Sequence, residues 1–501
     1  MAEENGCNGH QVQRSTTAIE WKVGLMNYDK KYLTAESFGH KVNATGTAMK
    51  KKQIWVMEQE PGEEVVYVRS CQDCYMSTDK YGHVTVEAEE RGEDEKFTVE
   101  YSENGQWALK SCKFANYFNG VGDKVECFDK SPGQANWWSI QLYVHPQIHL
   151  RNVNRKRYAH LVGDELECSE LVPWGSDSLI LLDFDEGKYT LKSFDNRYLH
   201  REGNLVEEAT EECKFTMEIH SGCLAFKDNE GRYLTAVGKG TLKCRSKKFG
   251  KDELFTIEDS HPQVQIVSHN KKSVSIRQGV DVSANQNPDE IEDSEIFQME
   301  FNKYKETWAF LGKINNTNKY WSLQPPPLGT VQILRQETMD DSFFAIDWQE
   351  DGTAGIKGND GKYLSNKQTG ILYSTTSTLE ENNKFRIIIV NRPILVLKGE
   401  FGFVGAKGTQ FICNKAKYDI LTVEHVGEGS YTIKGQEGQY WNVGDDNQIY
   451  ADSSPAKFQF QFNGRSMMAI RAPNGCFLKG EQTGLIKATS NEISSASLWE
   501  F

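Results

Sequence analysis

The sequence predicts an all-β protein: four tandem β-trefoil domains packed as a compact multi-lobed body. Three observations predict it. An aromatic motif returns at a nearly fixed interval, short alternating strands lie between turn residues, and proline-led strand starts gather the repeats in threes.

The motif is an aromatic followed by a short strand. It recurs at Tyr32, Tyr75, Tyr117, Tyr158, Tyr198, Tyr233, Tyr320, Tyr363, Phe403, Tyr440 and Phe477, with Ser273-Val274-Ser275-Ile276 standing as a degenerate member. Counted at these positions, the spacings run from 35 to 45 residues and give twelve units. Turn residues such as Glu230-Gly231, Asp360-Gly361 and Asn474-Gly475 precede many motifs, as hairpins needing positive φ require. An alternating strand follows, for example His83-Val84-Thr85-Val86. A second aromatic strand then closes the unit, as at Trp55, Phe97, Trp138, Phe215, Phe255, Phe297, Phe344, Phe458 and Trp499.

Four short strands per unit suit either a propeller blade or one third of a trefoil. The grouping decides between them. His145-Pro146, His261-Pro262 and Arg392-Pro393 each open a strand, where proline forfeits no ladder bond. They divide the chain into a tail, 1–20, expected to be flexible, and four domains: 21–144, 145–260, 261–391 and 392–501. Nearly absent linkers predict domains packed on one another at fixed orientations.

Composition narrows the function classes. The chain has 501 residues, 38% hydrophobic and 26% charged, with 42 Gly and only 12 Pro. These values suit several globular all-β domains. No apolar run is long enough to span a bilayer, and the N-terminus lacks a signal core, so the expectation is a soluble cytoplasmic protein without membrane insertion. Eleven cysteines at irregular spacing fit reduced thiols. At a net charge of −14, binding an acidic partner requires local basic patches.

Several segments carry a resemblance. Lys50-Lys51-Lys52-Gln53-Ile54-Trp55, Arg155-Lys156-Arg157-Tyr158-Ala159-His160-Leu161, Gly250-Lys251-Asp252-Glu253-Leu254-Phe255, Val282-Ser283-Ala284-Asn285-Gln286, Asn391-Arg392-Pro393-Ile394 and Ala496-Ser497-Leu498-Trp499-Glu500-Phe501 resemble the fascin family. The likeness runs from about Lys22 to the last residue. It implies a monomer that cross-links filamentous actin into tight parallel bundles in filopodia and other cell projections, which demands at least two filament-binding surfaces on one chain.

The same resemblance implies where those surfaces lie. The first, between the first and last domains, matches Lys31, Lys50, Lys51, Lys52, Glu400, Lys407, Arg471 and Lys479. Phe401 and Gly408 depart from a histidine and a lysine in better-known fascins. The second surface, on the middle domains, matches Arg155, Lys156 and Arg157, then Lys243, Arg245, Lys247, Lys248 and Lys251, and Lys362 and Lys367. Ser275 and Arg277 match a further bundling segment. Clustered lysines would attract acidic actin, although charge runs are commonly just solvated faces. The usual phosphorylatable serine before the lysine run is replaced by Ala48. Thr47, with basic residues at +3, +4 and +5, is the candidate phosphosite, and the loop is expected to lack the switch in its usual register.

No catalytic constellation stands out, and no metal or cofactor is expected. The lone Cys71-Gln72-Asp73-Cys74 has no second CxxC and sits in a repeat strand. A carbohydrate-binding tandem trefoil is the alternative. This chain has Trp321 and Trp441 in repeat strands, but not the disulfides and signal peptide usual in that class. Nucleic-acid binding is not expected, because the basic runs lack ordered interleaved aromatics.

Overall fold

A computed structural model describes residues 18–277, 279–314 and 317–501. Residues 1–17 of the expected tail lie outside the described residues. Ile19 and Glu20 already belong to the first strand, Ile19–Met26. No helix is long and apolar enough to cross a membrane.

The twelve units fold as one scheme. Each closing strand sinks one large side chain into a domain centre. Nine are the aromatics expected from the sequence; Leu179, Phe385 and Leu421 fill the other three places, and all twelve are at most 1% exposed. Nine of the closing strands are led in by a 3-10 turn, such as Lys51–Gln53 or Lys251–Glu253, whose third residue is buried. That residue is usually polar, and its side chain accepts the backbone N–H three positions earlier, as Asn136 does from Gly133 at 2.8 Å. The buried polar atom and the turn's free N–H thus satisfy each other.

A bulge in the motif strand does further work. The register slips between Tyr117 and Phe118, Tyr158 and Ala159, Tyr233 and Leu234, Tyr320 and Trp321, and Phe477 and Leu478. The extra residue turns two neighbours away from solvent together. The second enters the core, where Phe118, Leu234, Trp321 and Leu478 are fully buried. The tyrosine lies along its flank.

Three units close into each domain. The strands group into sheets spanning Ile19 to Leu142, Gln147 to Asp259, Gln263 to Ile389 (with the separate pair Leu364–Asn366 and Leu372–Ser374), and Ile394 to Glu500. In the first three, first and last strands pair: Val23 with Leu142, Leu150 with Ile257, and Ile266 with Ile387; in the fourth, Lys398 of the second strand pairs with Glu500 of the last. Closure of three repeats on themselves is the trefoil.

The domains are welded in pairs. One apolar core runs through the first two, from Trp21 to Phe255, and another through the last two, from Val264 to Phe501. Between the first pair, the indoles of Trp21 and Trp107 donate to Gly222 O and Met217 O, both at 2.8 Å. Across the pairs, His145 Nε2 donates to Val396 O at 3.1 Å, and Gln147 exchanges bonds with Ile394 O and Val396 N–H. Arg392 sits buried where the later domains meet, donating to Ser260 Oγ at 2.5 Å and lying over the Phe501 ring. These contacts fix the separation of surfaces on different domains.

Candidate functional site

Many cations of the repeat are committed to architecture. In the second domain Lys227 Nζ sits 5.0 Å from the Tyr233 ring centroid, and Glu218 takes both the Lys227 ammonium and the Tyr233 hydroxyl. Lys110, Tyr117 and Glu100 repeat the arrangement, as do Lys357, Tyr363 and Asp347. Lys192 over Tyr198 and Lys434 over Tyr440 keep the stack. Arg471 holds this same place: it pairs with Phe477 across the ladder, with its guanidinium 4.6 Å from the ring. This half-buried candidate therefore has a structural task of its own.

In the first domain, Lys50 and Lys51 are exposed on the turn before Trp55. Lys52 is half-buried and pairs with Glu36 at 3.0 Å, which holds the Glu36 carboxyl below its usual range. Lys31 is half-buried in the turn before Tyr32, its N–H bonded to Asn27. Thr47 and Ala48 are exposed at the bend preceding the lysines.

In the fourth domain Glu400 is exposed at the turn between Lys398–Gly399 and Gly402–Lys407. Phe401 packs against the core beside Gly480, where an added Cβ would lie 3.7 Å from its ring. Lys479, next to Gly480 in the chain, is exposed. Where relatives are expected to carry histidine, Phe401 thus serves packing. Lys407 opens a tight hairpin pairing with Gln410, and Gly408 within it takes φ +61°, which suits glycine and not the expected lysine. Among the described residues no hydrogen bond or ion pair joins the Lys31 and Lys50–Lys52 group to the fourth-domain group. The nearest link is Lys398, whose Nζ lies 3.9 Å from the ring of Tyr143 at the end of the first domain.

The second-domain candidates do come together. Arg155 donates through Nε and Nη2 to Ala236 O and Gly238 O, at 3.1 and 2.7 Å, on the hairpin that carries Lys243 and Arg245. Asn154 Nδ2 reaches Asp252 Oδ1 at 2.8 Å, setting exposed Lys156 beside the turn of Lys251. Arg245, Lys247, Lys248 and Lys251 are exposed, and Lys243 is half-buried. Arg157 lines a hollow of about 210 Å³ with Glu170, Lys313 and Asn318, at the border with the third domain.

The third-domain candidates are less uniform. Lys362 and Lys367 are exposed, the latter over the Tyr373 ring. Ser275 is not a surface residue: it is 1% exposed, and its hydroxyl donates to Asn285 Oδ1. Arg277 is clasped by the buried Glu295 carboxylate through two 2.8 Å bonds and pairs with Glu292 at 3.1 Å. This segment is held by packing and ion pairing.

Sequence reasoning missed the cleft between the second and fourth domains, about 400 Å³ and lined by Phe184, Tyr198, Lys192, Phe403 and Tyr418. Tyr418 donates to Asp183 across it, and Lys417 pairs with Asp185 at 2.5 Å. It also missed Met49 and Phe249. Their signal was available, because each stands six residues before a closing aromatic. All ten described cysteines are free thiols, and among the described residues no group of His, Cys, Asp or Glu could hold a metal ion.

Comparison with known proteins agrees with the four-part plan. A Fascin domain model matches residues 29–140, 148–257, 269–387 and 403–501. Fascin-2 of Bos taurus is 39% identical over 98% of this chain and 99% of its own. Fascin of Strongylocentrotus purpuratus is 37% identical over 96% and 99%, and Fascin-3 of Mus musculus 24% over 98% and 99%. With a matched segment in each of the four sheet systems and this identity over nearly the whole length, the chain belongs to the fascin family.

Proposed function

We propose that this protein binds filamentous actin and cross-links filaments into tight parallel bundles, acting as a monomer through at least two separate basic surfaces. Membership of the fascin family supports the activity. The observation that carries the two-surface reading is the pair of lysine-rich loops, Lys50–Lys52 on the first domain and Lys247–Lys251 on the second. Lys50 and Lys51 are exposed, as are Lys247, Lys248 and Lys251, on domains that share one core. A rigid body with two adhesive faces bridges two partners without dimerising, and lysine contacts supply attraction to an acidic filament against the net charge of −14. Glu400, Lys407 and Lys479 extend the first surface. Arg155, Lys156, Arg157, Lys243, Arg245, Lys362 and Lys367 extend the second. The protein works in the cytoplasm, in actin-rich projections such as filopodia, and does so without enzymatic chemistry.

The test is low-speed co-sedimentation with actin, run beside a sizing measurement. Bundling by monomer should fall as salt rises, because exposed contacts are screened beyond about 8 Å at physiological ionic strength. Bundling confined to a dimer fraction would refute the two-surface reading.

A further inference from the structure

The two lysine-rich loops are the same loop of the repeat. In the first domain Thr47-Ala48-Met49-Lys50 precedes the turn Lys51–Gln53 and then Trp55; in the second, Lys247-Lys248-Phe249-Gly250 precedes Lys251–Glu253 and then Phe255. The base of each is fixed by the same two partners, with the bond to the threonine reversed in direction. Gln53 accepts the Lys50 N–H at 3.2 Å and donates to Thr34 Oγ1 at 3.0 Å. Glu253 accepts the Gly250 N–H at 2.7 Å and the Thr235 hydroxyl at 2.9 Å.

Above the base, one apolar side chain holds each loop. Met49 lies over Gly24 beside Tyr32: a Cβ on Gly24 would meet the Met49 sulfur at 2.6 Å and the Tyr32 ring at 3.1 Å. Phe249 is stacked on His220, with centroids 4.0 Å apart and planes 18° from parallel, and meets Tyr233 edge-on at 6.0 Å. His220 is itself held in place. Its Nε2 donates to buried Glu218 at 2.8 Å, and its ring lies 5.6 Å from Tyr101 of the first domain. Phe249 remains 46% exposed, so solvent-driven burial alone does not account for its place. Beyond Ser246, which still pairs with Tyr233 across the ladder, the side-chain hydrogen bonds of residues 246–248 among the described residues stay within the loop, joining Ser246 Oγ to the N–H and C=O of Lys248. Among the described residues Lys247 and Lys248 have no ion-pair partner.

We propose that Phe249 is a positioning residue for filament binding: by stacking on His220 it pre-orders the loop that presents Lys247 and Lys248. The inference rests on the proposed role of that loop. A loop already ordered binds without the cost of ordering it, and loss of one aromatic pair amounts to about a 2- to 10-fold change in affinity.

The experiment measures the protein concentration giving half-maximal actin bundling, with thermal unfolding in parallel. Phe249→Ala should raise that concentration about 2- to 10-fold while keeping a cooperative thermal transition, and Phe249→Trp should restore it. Added to Lys247→Ala/Lys248→Ala, Phe249→Ala should do nothing more, because there is no charge left to position. If Phe249→Ala fails to fold, Phe249→Leu removes the stack while keeping bulk. Wild-type bundling by the Phe249 variant, with bundling lost in the lysine pair, overturns the positioning role. A full Phe249→Ala effect on top of the lysine pair overturns it too. Wild-type bundling by the lysine pair instead removes the loop from the filament contact, and the underlying reading fails with it.

Discussion

The Tyr158 hydroxyl donates to the Glu258 carboxylate at 2.7 Å, across 100 residues of chain. The contact joins the first unit of the second domain to its third, as Tyr32 with Gln141 does in the first domain at 2.5 Å. Within domains the same bond links successive units, as in Tyr75 to Glu58 or Tyr320 to Glu300. A local device of the repeat thus becomes the clasp that closes the threefold ring. Burial and the Glu258 charge both hold the Tyr158 phenol well above its ordinary pKa, so it donates throughout the accessible pH range.

Tyr158→Phe should therefore destabilise the second domain. A hydrogen bond to a charged acceptor contributes about 1.5–3 kcal/mol, discounted here because Glu258 keeps Arg151 at 3.7 Å. Urea denaturation should show a loss of about 1–2 kcal/mol. An unchanged midpoint would mean that the ring closes on packing alone.

The weld between the first two domains is a second target. Tyr101 Oη donates to Ile219 O at 2.8 Å and accepts the Ile219 N–H at 3.1 Å. Tyr101→Phe leaves both backbone groups without that partner, at about 1–3 kcal/mol. Bundling depends on the relative aim of two surfaces, whereas binding one filament does not. Low-speed pelleting should fall further than high-speed pelleting, and equal losses would argue against fixed domain orientation as a requirement.

Acid should loosen the junction between the lobes. Burial pulls the His145 pKa from 6.5 to about 4 and that of His149 to about 3. Each is neutral in the folded chain while the unfolded chain takes up a proton near pH 6.5. Their stabilising contribution is complete above that pH and is lost as pH falls toward 4 for His145 and toward 3 for His149, on the order of 3 kcal/mol for His145. His145→Gln keeps a donor for Val396 O and should flatten the slope of unfolding free energy between pH 6.5 and 4. A slope identical to wild type would assign the acid sensitivity elsewhere.

The sequence carried the repeat because its signal is chemical: large side chains must recur wherever a domain centre must be filled. It was silent at Leu179 and Leu421, where leucine fills the centre in place of the expected aromatic, whereas Phe385-Arg386-Ile387 carries the pattern and was overlooked. Ser275 was a candidate through the family resemblance alone, and it lies buried between Val274 and Ile276. Cations were the least legible. Nothing local separates Lys227, stacked on Tyr233, from Lys248, which stacks on no ring among the described residues; the difference lies in the neighbouring strand's tyrosine and the carboxylate beyond it.

That distinction orders the first-surface variants. Lys50 and Lys51 are exposed and make no ion pair among the described residues, so Lys51→Glu should weaken filament binding with no loss of thermal stability. Lys52→Ala also releases Glu36 and should have a smaller effect on binding. Arg471→Glu removes the stack on Phe477 and puts a carboxylate over the ring, so its thermal midpoint should fall along with bundling. Arg471→Lys should recover stability, because lysine holds this place at Tyr117, Tyr198 and Tyr233. A stable Arg471→Glu that cannot bundle would make Arg471 a direct contact.

The last prediction concerns Thr47. It stands where Lys247 stands in the equivalent loop, three residues before Lys50, and both Thr47 and Ala48 are exposed at the bend. A phosphate there would carry about −1.5 to −2 charges beside Lys50 and Lys51, cancelling their attraction for acidic actin and repelling the filament directly. Thr47→Glu should therefore raise the concentration needed for bundling, and Thr47→Ala should leave it unchanged. Whether the site is used is a separate matter of register. The residue in the usual position is Ala48, which has no hydroxyl, and the threonine is displaced by one. Treatment with protein kinase C should leave residue 47 without stoichiometric phosphate by mass spectrometry, and bundling intact. Full phosphorylation of Thr47 with loss of bundling, abolished in Thr47→Ala, would establish that the switch has moved one residue and still works.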